Sequence, residues 1–434
     1  MTSEFTDHAN PVKRRQEVPW ALIFLLWVLF FIATSDLFFS LAMEENTWRE
    51  ETVSDVVEGH LTRRLSFLAI GLIGALQVLR YGRERLQVRG MLGWLIVLLV
   101  AWSFFSLVWA QDYSLTFRRL IVFSMMGIAA LAVLVRCSPR GVMITVFSCS
   151  GAFLFLGILA ETALGTLHPF AFEYRFSGTF HPNIQGMIVA ILILSGLGIA
   201  ENRERGRWLL LAVVFVGLIF LILTKSRTAF GSTILAVFAY KSLMSAAPRK
   251  RLFVIGVLLT VAVVALFVGE AFFPVLQESV LLGRDFDAAE PLSGRVSIWI
   301  ECLEYVKARP LLGYGYQGFW TPDRIDEISF TQGWVVSGGH STYLAQLLNL
   351  GVVGFVLFVL ILVMGGRSAL TGLRVSGDPA YGFFFSLIVL CALDGVLETV
   401  PISPGFVGFC LIVVLGGLGF RRRDEGLGRI QGWV

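Results

Sequence analysis

The sequence predicts an all-α integral membrane protein of about twelve transmembrane helices with one large loop outside the membrane. Three observations predict it: an unusually apolar composition, the recurrence of helix-length apolar runs, and the placement of basic residues. Of the 434 residues 56% are apolar and 15% charged, where a soluble domain carries roughly 45–50% and about 25%. The mean hydropathy is +0.76. A bilayer-spanning helix needs about 17–25 apolar residues, and such runs recur from one end of the chain to the other. The formal charge of +4 therefore carries no suggestion of nucleic acid; what matters is where the basic residues fall.

Spans are predicted near residues 18–42, 65–80, 90–110, 118–136, 141–165, 182–200, 207–223, 228–245, 251–273, 342–364, 380–399 and 403–420. The first is preceded by Lys13, Arg14 and Arg15 and ends near Ser40-Leu41-Ala42, as a signal peptide would. Its apolar stretch is longer than an ordinary signal-peptide core of about 7–15 residues, so it reads as an uncleaved span. Twelve spans put both termini on one side. The loops and tails of that side hold 22 of the 35 basic residues, and the opposite side holds 13, five of them in one long loop. The positive-inside rule makes the side of the termini cytoplasmic. The chain then divides into a cytoplasmic tail (1–17), spans one to nine (18–273), an outer loop (274–341), spans ten to twelve (342–420) and a second cytoplasmic tail (421–434).

Structureless loops of such length are uncommon, and the interior of this one has helical periodicity. Val296, Trp299, Ile300, Leu303 and Val306 are spaced as one apolar face opposite Glu301 and Glu304. Ser293 can cap that helix and Pro310 stop it. An amphipathic helix on the outer membrane surface is the simplest expectation. The five cysteines, Cys137, Cys149, Cys302, Cys391 and Cys410, have neither metal-ligand nor CxxC spacing.

Two segments imitate motifs. Gly313-Tyr-Gly-Tyr-Gln-Gly318 fits GxGxxG but follows a helix and a proline, without the strand–turn–helix context of a dinucleotide site. A flexible turn closing the helix is the better reading. Asp285-Phe-Asp287 fits the DxD pattern of metal-holding sugar transferases; on a side without nucleotide sugars, solvated loop carboxylates are the better reading, with a metal role beside a lipid diphosphate as the alternative.

Ionisable residues inside spans are costly and usually functional. Asp36, Glu161, Glu270, Asp394 and Glu398 all fall toward the outer ends of their spans. Singly, the first three read as carboxylates reaching interfacial water. Asp394 and Glu398, four apart on one helix face, suggest a polar cavity opening outward. Arg227 lies in a tight outer turn where topology needs no arginine. Arg295 follows Ser293-Gly294 at a helix start, where cation and macrodipole oppose each other but backbone donors plus a guanidinium make an anion site. His340 follows Gly338-Gly339 at the head of the tenth span. Each alone is an ordinary surface residue; together on one side they suggest a site for a lipid-linked phosphate.

The same residues carry a family resemblance. Arg-Phe-Ser-Gly-Thr-Phe-His-Pro-Asn (175–183), Leu-Thr-Lys-Ser-Arg (223–227), Ser-Gly-Arg-Val-Ser-Ile-Trp (293–299), Arg-Pro-Leu-Leu-Gly-Tyr-Gly (309–315) and His-Ser-Thr-Tyr-Leu (340–344) resemble the bacterial O-antigen ligase and polysaccharide polymerase family of membrane glycosyltransferases. Leu-Leu-Gly-Arg-Asp-Phe (281–286) and Gly-Phe-Trp (318–320) resemble its exopolysaccharide polymerase branch; Ser341 departs from the asparagine common after the histidine. The resemblance implies an inner-membrane enzyme with a periplasmic site and no cofactor. It would transfer a glycan from undecaprenyl diphosphate to an acceptor hydroxyl, on another glycan or on lipid A core. Arg227 and Arg295 would hold the departing diphosphate, and His340 would take the acceptor's proton, since imidazoles titrate near neutral pH. Arg175, Asp394 and Glu398 would support them. Attack opposite the leaving group would invert the anomeric carbon, and neither metal nor nucleotide is required. Polymerisation of repeat units is favoured over ligation to lipid A core. Transport of a lipid-linked glycan is a third reading, disfavoured because the halves show no repeat. Membrane lipid and other polysaccharide-assembly proteins are compatible partners.

Overall fold

The computed structural model describes residues 18–44, 60–82, 86–201, 205–245 and 294–421. The predicted ninth span (251–273), Glu270, Ser293 and the Asp285–Asp287 pair lie outside them. The chain runs through α1 (Trp20–Thr34), α2 (Phe39–Glu44), α3 (Leu61–Tyr81), α4 (Gly90–Phe105), α5 (Tyr113–Arg136), α6 (Pro139–Leu164) and α7 (Pro182–Glu201). It continues through α8 (Arg207–Leu223), α9 (Arg227–Met244), α10 (Arg295–Ala308), α11 (Pro322–Gln332), α12 (Thr342–Ser376), α13 (Pro379–Asp394) and α14 (Phe406–Gly419). Helices stand at eleven of the twelve predicted positions. Among the described residues seven segments are long and apolar enough to cross a bilayer, counting Trp20–Glu44 as one, and α8, α13 and α14 are shorter apolar helices. The protein is a multi-pass, all-α membrane protein. A two-residue antiparallel ladder, Gln87 with Arg421 and Val88 with Phe420, ties the start of α4 to the end of α14.

α7 is the axis of the bundle. Its residues from Gln185 to Leu194 are buried on every side, as expected of a helix that is apolar all round. It packs against α6, α8, α9 and α13. Gly186 permits the contact with α9, because a Cβ there would lie 2.9 Å from Ala229 Cβ.

Three expectations change. The first span is two helices, turned at Ser35-Asp36, where the Asp36 N–H donates to Thr179 O (3.0 Å) and its carboxylate accepts from the Phe38 N–H (2.8 Å); Asp36 shapes a turn. The eleventh span ends as a helix at Asp394, so Glu398 stands in the turn beyond it, although its N–H still donates to Asp394 O (2.9 Å). In α10, Gly294 in the left-handed region occupies the N-cap position, and the buried stripe is Ile298 and Cys302, with Ile300 and Leu303 61% and 43% exposed. The reason is that apolar residues occupy two faces of α10. One of them enters a small core with Tyr314, Phe319, Trp320, Ile325, Ile328, Val336, Leu344 and Leu348 instead of lying on a lipid surface.

That core is joined to the membrane bundle through a break in α12. Gly351 has φ 66° and ψ −170° and divides the helix, so carbonyls of the preceding turn lose their helical partners. The segment after α10 supplies replacements. Tyr314 and Gly315 N–H donate to Leu348 and Asn349 O (both 2.9 Å), Trp102 Nε1 donates to Leu350 O (3.1 Å), and Val352 N–H donates to Pro310 O (2.8 Å). The Gly313–Gly318 segment is therefore a closely packed backbone staple, where the sequence suggested a flexible turn. A Cβ at Gly351 would lie 2.1 Å from Leu311 O, and one at Gly313 would lie 2.7 Å from Asn349 C.

Gly351→Ala should lower the thermal midpoint markedly, since both a positive φ and a backbone clash oppose it, strain alone costing about 1–3 kcal/mol. Gly127→Ala, on α5 with nothing within 4 Å of the added methyl, should leave the midpoint unchanged or raise it. Equal midpoints for the two variants in detergent would contradict the staple.

Candidate active site

The site gathers where α7, α10 and α12 begin and α13 ends, and each side chain is placed by a local cause. Arg295 is the first residue of α10, after the left-handed Gly294. His340 precedes the α12 N-cap, Ser341, whose hydroxyl accepts from the Leu344 N–H (3.4 Å). Its own φ is +45°, a conformation few non-glycine residues adopt. Trp299 Nε1 donates to Gly339 O (2.8 Å), fixing the approach to His340, and the Trp334 ring lies 6.5 Å from the imidazole. Thr342 holds the segment after α13, its N–H donating to Gly395 O (2.8 Å) and Glu398 O (3.0 Å) and its hydroxyl also to Glu398 O (2.8 Å).

Glu398 is the centre. Its carboxylate accepts from Arg295 Nη2 (2.6 Å) and Asn183 Nδ2 (2.7 Å) through Oε1, while Oε2 faces His340 Nδ1 at 4.0 Å. The Glu398 and Arg295 side chains are 6% and 16% exposed and that of His340 is 37% exposed. A shielded carboxylate thus backs an imidazole that reaches solvent. Burial pushes the Glu398 carboxyl up, but His340, the Arg295 guanidinium and His181 outweigh it and leave it below its usual range. His181 moves the opposite way: burial first, then Arg175, lowers it to about 4. It is neutral, and its Nδ1 accepts from the Asn183 N–H (3.2 Å) at the head of α7. Arg175 extends the network, donating from Nη2 to Asn183 Oδ1 and from Nε to Thr224 O, both 3.3 Å.

Glu161, which read as a carboxylate reaching interfacial water, is buried and structural. It accepts from Ser177 N–H (2.9 Å), Ser177 Oγ (3.1 Å), Gly178 N–H (2.6 Å) and Tyr174 OH. It thereby holds the loop that presents Arg175, which Phe176 N–H anchors to Leu223 O (2.8 Å) at the open end of α8. Arg227 heads α9 after its N-cap Ser226, beside the first turn of α7. Asp394 is 1% exposed, with neither oxygen hydrogen-bonded.

The structure thus joins Arg295, His340, Glu398 and Arg175 in one network, with Arg227 on the neighbouring helix head and Asp394 beneath. His181 and Asn183 belong to it as well. They stand in the 175–183 stretch that carried the resemblance, but the sequence offered no separate sign that His-Pro-Asn would cap α7 against Glu398. Gly-Phe-Trp at 318–320 fills the small core.

Residues 211–359 match the family model described as O-antigen ligase. The match covers about a third of the chain. It contains Arg227, Arg295 and His340 and leaves Arg175, Asn183 and Glu398 outside. The chain is also 27% identical over 151 residues to the exopolysaccharide production protein ExoQ of Rhizobium meliloti (strain 1021), covering 33% of this chain and 34% of that protein. The match therefore spans about a third of the relative's length. Both findings bear out the resemblance to the O-antigen ligase and polysaccharide polymerase family.

Glu161→Ala would leave two buried backbone N–H groups without their acceptor, at about 1–3 kcal/mol each. Hydrogen exchange at Ser177 and Gly178 should accelerate strongly while exchange in the middle of α7 stays slow. Unchanged protection at those two amides would remove Glu161 from its supporting role.

Proposed function

We propose that this protein is a glycosyltransferase that takes a glycan from undecaprenyl diphosphate and joins it to an acceptor hydroxyl on the periplasmic face of the bacterial inner membrane. The observation that carries the reading is the Arg295–Glu398–His340 arrangement, in which a fixed guanidinium and an exposed imidazole share one shielded carboxylate. The acceptor oxygen attacks the anomeric carbon and its proton passes to His340 Nε2. The bond from that carbon to the diphosphate oxygen breaks, and the electron pair leaves with the diphosphate. Diphosphate is already a good leaving group, so the site chiefly needs cationic stabilisation, supplied by Arg295 and Arg227. Attack opposite the leaving group inverts the configuration. This chemistry calls for no metal or nucleotide from the protein.

Twelve spans with both termini cytoplasmic put the site on the outer face, which the distribution of basic residues supports. Polymerisation of repeat units is the favoured reaction, supported by likeness to an exopolysaccharide production protein. Ligation to lipid A core is the second reading, supported by the description of the family model that residues 211–359 match.

A planar guanidinium can grip phosphate bidentately where an ammonium cannot. Arg227→Lys and Arg295→Lys should therefore fail nearly as badly as the alanine variants, both in donor binding and in glycan transfer. His340→Gln should lose transfer and keep donor affinity, because glutamine hydrogen-bonds without serving as a base. Full glycan assembly in cells carrying Arg295→Ala, at normal protein level, would remove that residue from the reaction. For sidedness, cysteine at Ser329 should react with an impermeant thiol reagent in cells with a permeabilised outer membrane, and cysteine at Ser376 should not. Reversed labelling would put the site on the cytoplasmic face.

A further inference from the structure

Glu398 presents a conflict that the proposed chemistry must resolve. Its Oε1 is occupied by Arg295 at 2.6 Å while its Oε2 stands 4.0 Å from His340 Nδ1, beyond hydrogen-bond reach. The guanidinium intended for diphosphate is thus already neutralised, and the imidazole intended as base meets the same carboxylate only across a long contact. Both deficits end with one movement. An anion at Arg295 competes with Oε1, and a carboxylate released from the arginine, still held by Asn183, needs to close little more than 1 Å to accept a hydrogen bond from Nδ1.

Resting on the reading of Arg295 as the diphosphate ligand and His340 as the base, we propose that Glu398 is a positioning residue that the donor itself engages. The diphosphate displaces the carboxylate from Arg295, and the carboxylate turns to His340. The Nδ1–H then points to Glu398 and the Nε2 lone pair faces the acceptor, the same division of labour by which a buried carboxylate orients a catalytic histidine elsewhere. The base is completed only when the donor is in place, so donor binds before acceptor and an acceptor hydroxyl alone meets a poorly oriented imidazole. The His340 backbone, at φ +45°, fixes the ring's root, so the carboxylate makes the movement. Of the other ionisable groups near Glu398, His181 is lowered to about 4 by burial and then by Arg175, and Asp394 lies a turn beneath.

The test is Glu398→Gln in the purified full chain, with undecaprenyl diphosphate as the binding probe and the glycan-charged lipid as substrate. Glutamine keeps an oxygen for Arg295 and Asn183 but removes the competing charge. The probe should bind roughly tenfold tighter while kcat falls by about 10²–10⁴, the range for loss of an oriented base. A residue that merely held the fold would weaken both. Affinity that is unchanged or weaker, or an unchanged kcat, would overturn the proposal. If this variant does not fold, the native protein decides. In 15N-histidine-labelled protein, binding of undecaprenyl diphosphate should shift His340 toward the tautomer with its proton on Nδ1. An unchanged His340 tautomer balance on binding would overturn the switch. Arg295→Ala separates this idea from its foundation: native-like probe affinity there would sink the diphosphate assignment itself, whatever Glu398→Gln does.

Discussion

A largely shielded ion pair between Arg295 and Glu398 is the constraint on which the arrangement rests. It joins the first residue of α10, which packs in the small core, to the turn that follows α13 in the bundle, two regions with separate apolar interiors. Desolvating both charges is expensive, and removing either partner of such a pair costs about 3–5 kcal/mol because the other is left buried alone. Asn183 makes the carboxylate more tolerable with a neutral hydrogen bond, and Thr342 fixes the backbone that carries it by donating twice to the Glu398 main-chain carbonyl. A pair with that expense, placed beside a solvent-reaching imidazole, is arranged for chemistry more than for stability.

The second constraint is the break in α12. Backbone groups inside a membrane protein must find partners within the protein, and a helix interrupted at Gly351 exposes carbonyls that need donors. The chain after α10 and the indole of Trp102 provide them. One device therefore satisfies the interrupted helix and fixes the small core onto the bundle. It also separates the nine-residue head of α12, which follows His340, from the long remainder that faces lipid through Val352, Val353 and Val356. The site consequently sits on a short, rigid half-helix whose position is set by backbone hydrogen bonds more than by side-chain packing.

Helix positions were legible because an apolar run of bilayer length has few places to go except across a membrane. The cationic and imidazole members of the site were legible because each breaks a local rule. Arg295 opposes a helix dipole, Arg227 stands where the topology asks for no charge, and His340 follows two glycines. Glu398 was legible only as half of a carboxylate pair, since nothing in the sequence tells that α13 stops at Asp394. Asn183 was hidden because its partner, Glu398, is far away in the chain. The staple was misread for a related reason: Gly313 and Gly351 are separated by a helix and a loop, and glycine-rich sequence reads as flexible until its partner backbone is known. The two-faced α10 defeated periodicity, because apolar residues at two overlapping spacings leave the buried stripe undecided.

As proposed, this site breaks the bond between a glycan and a lipid diphosphate. The most direct measurement uses the purified protein in lipid vesicles with a defined undecaprenyl-diphosphate-linked glycan, following both release of undecaprenyl diphosphate and movement of the donor across the bilayer. Release should match new glycosidic bonds one for one and disappear in Arg295→Ala. Translocation of intact donor with no release would contradict it and make the protein a carrier.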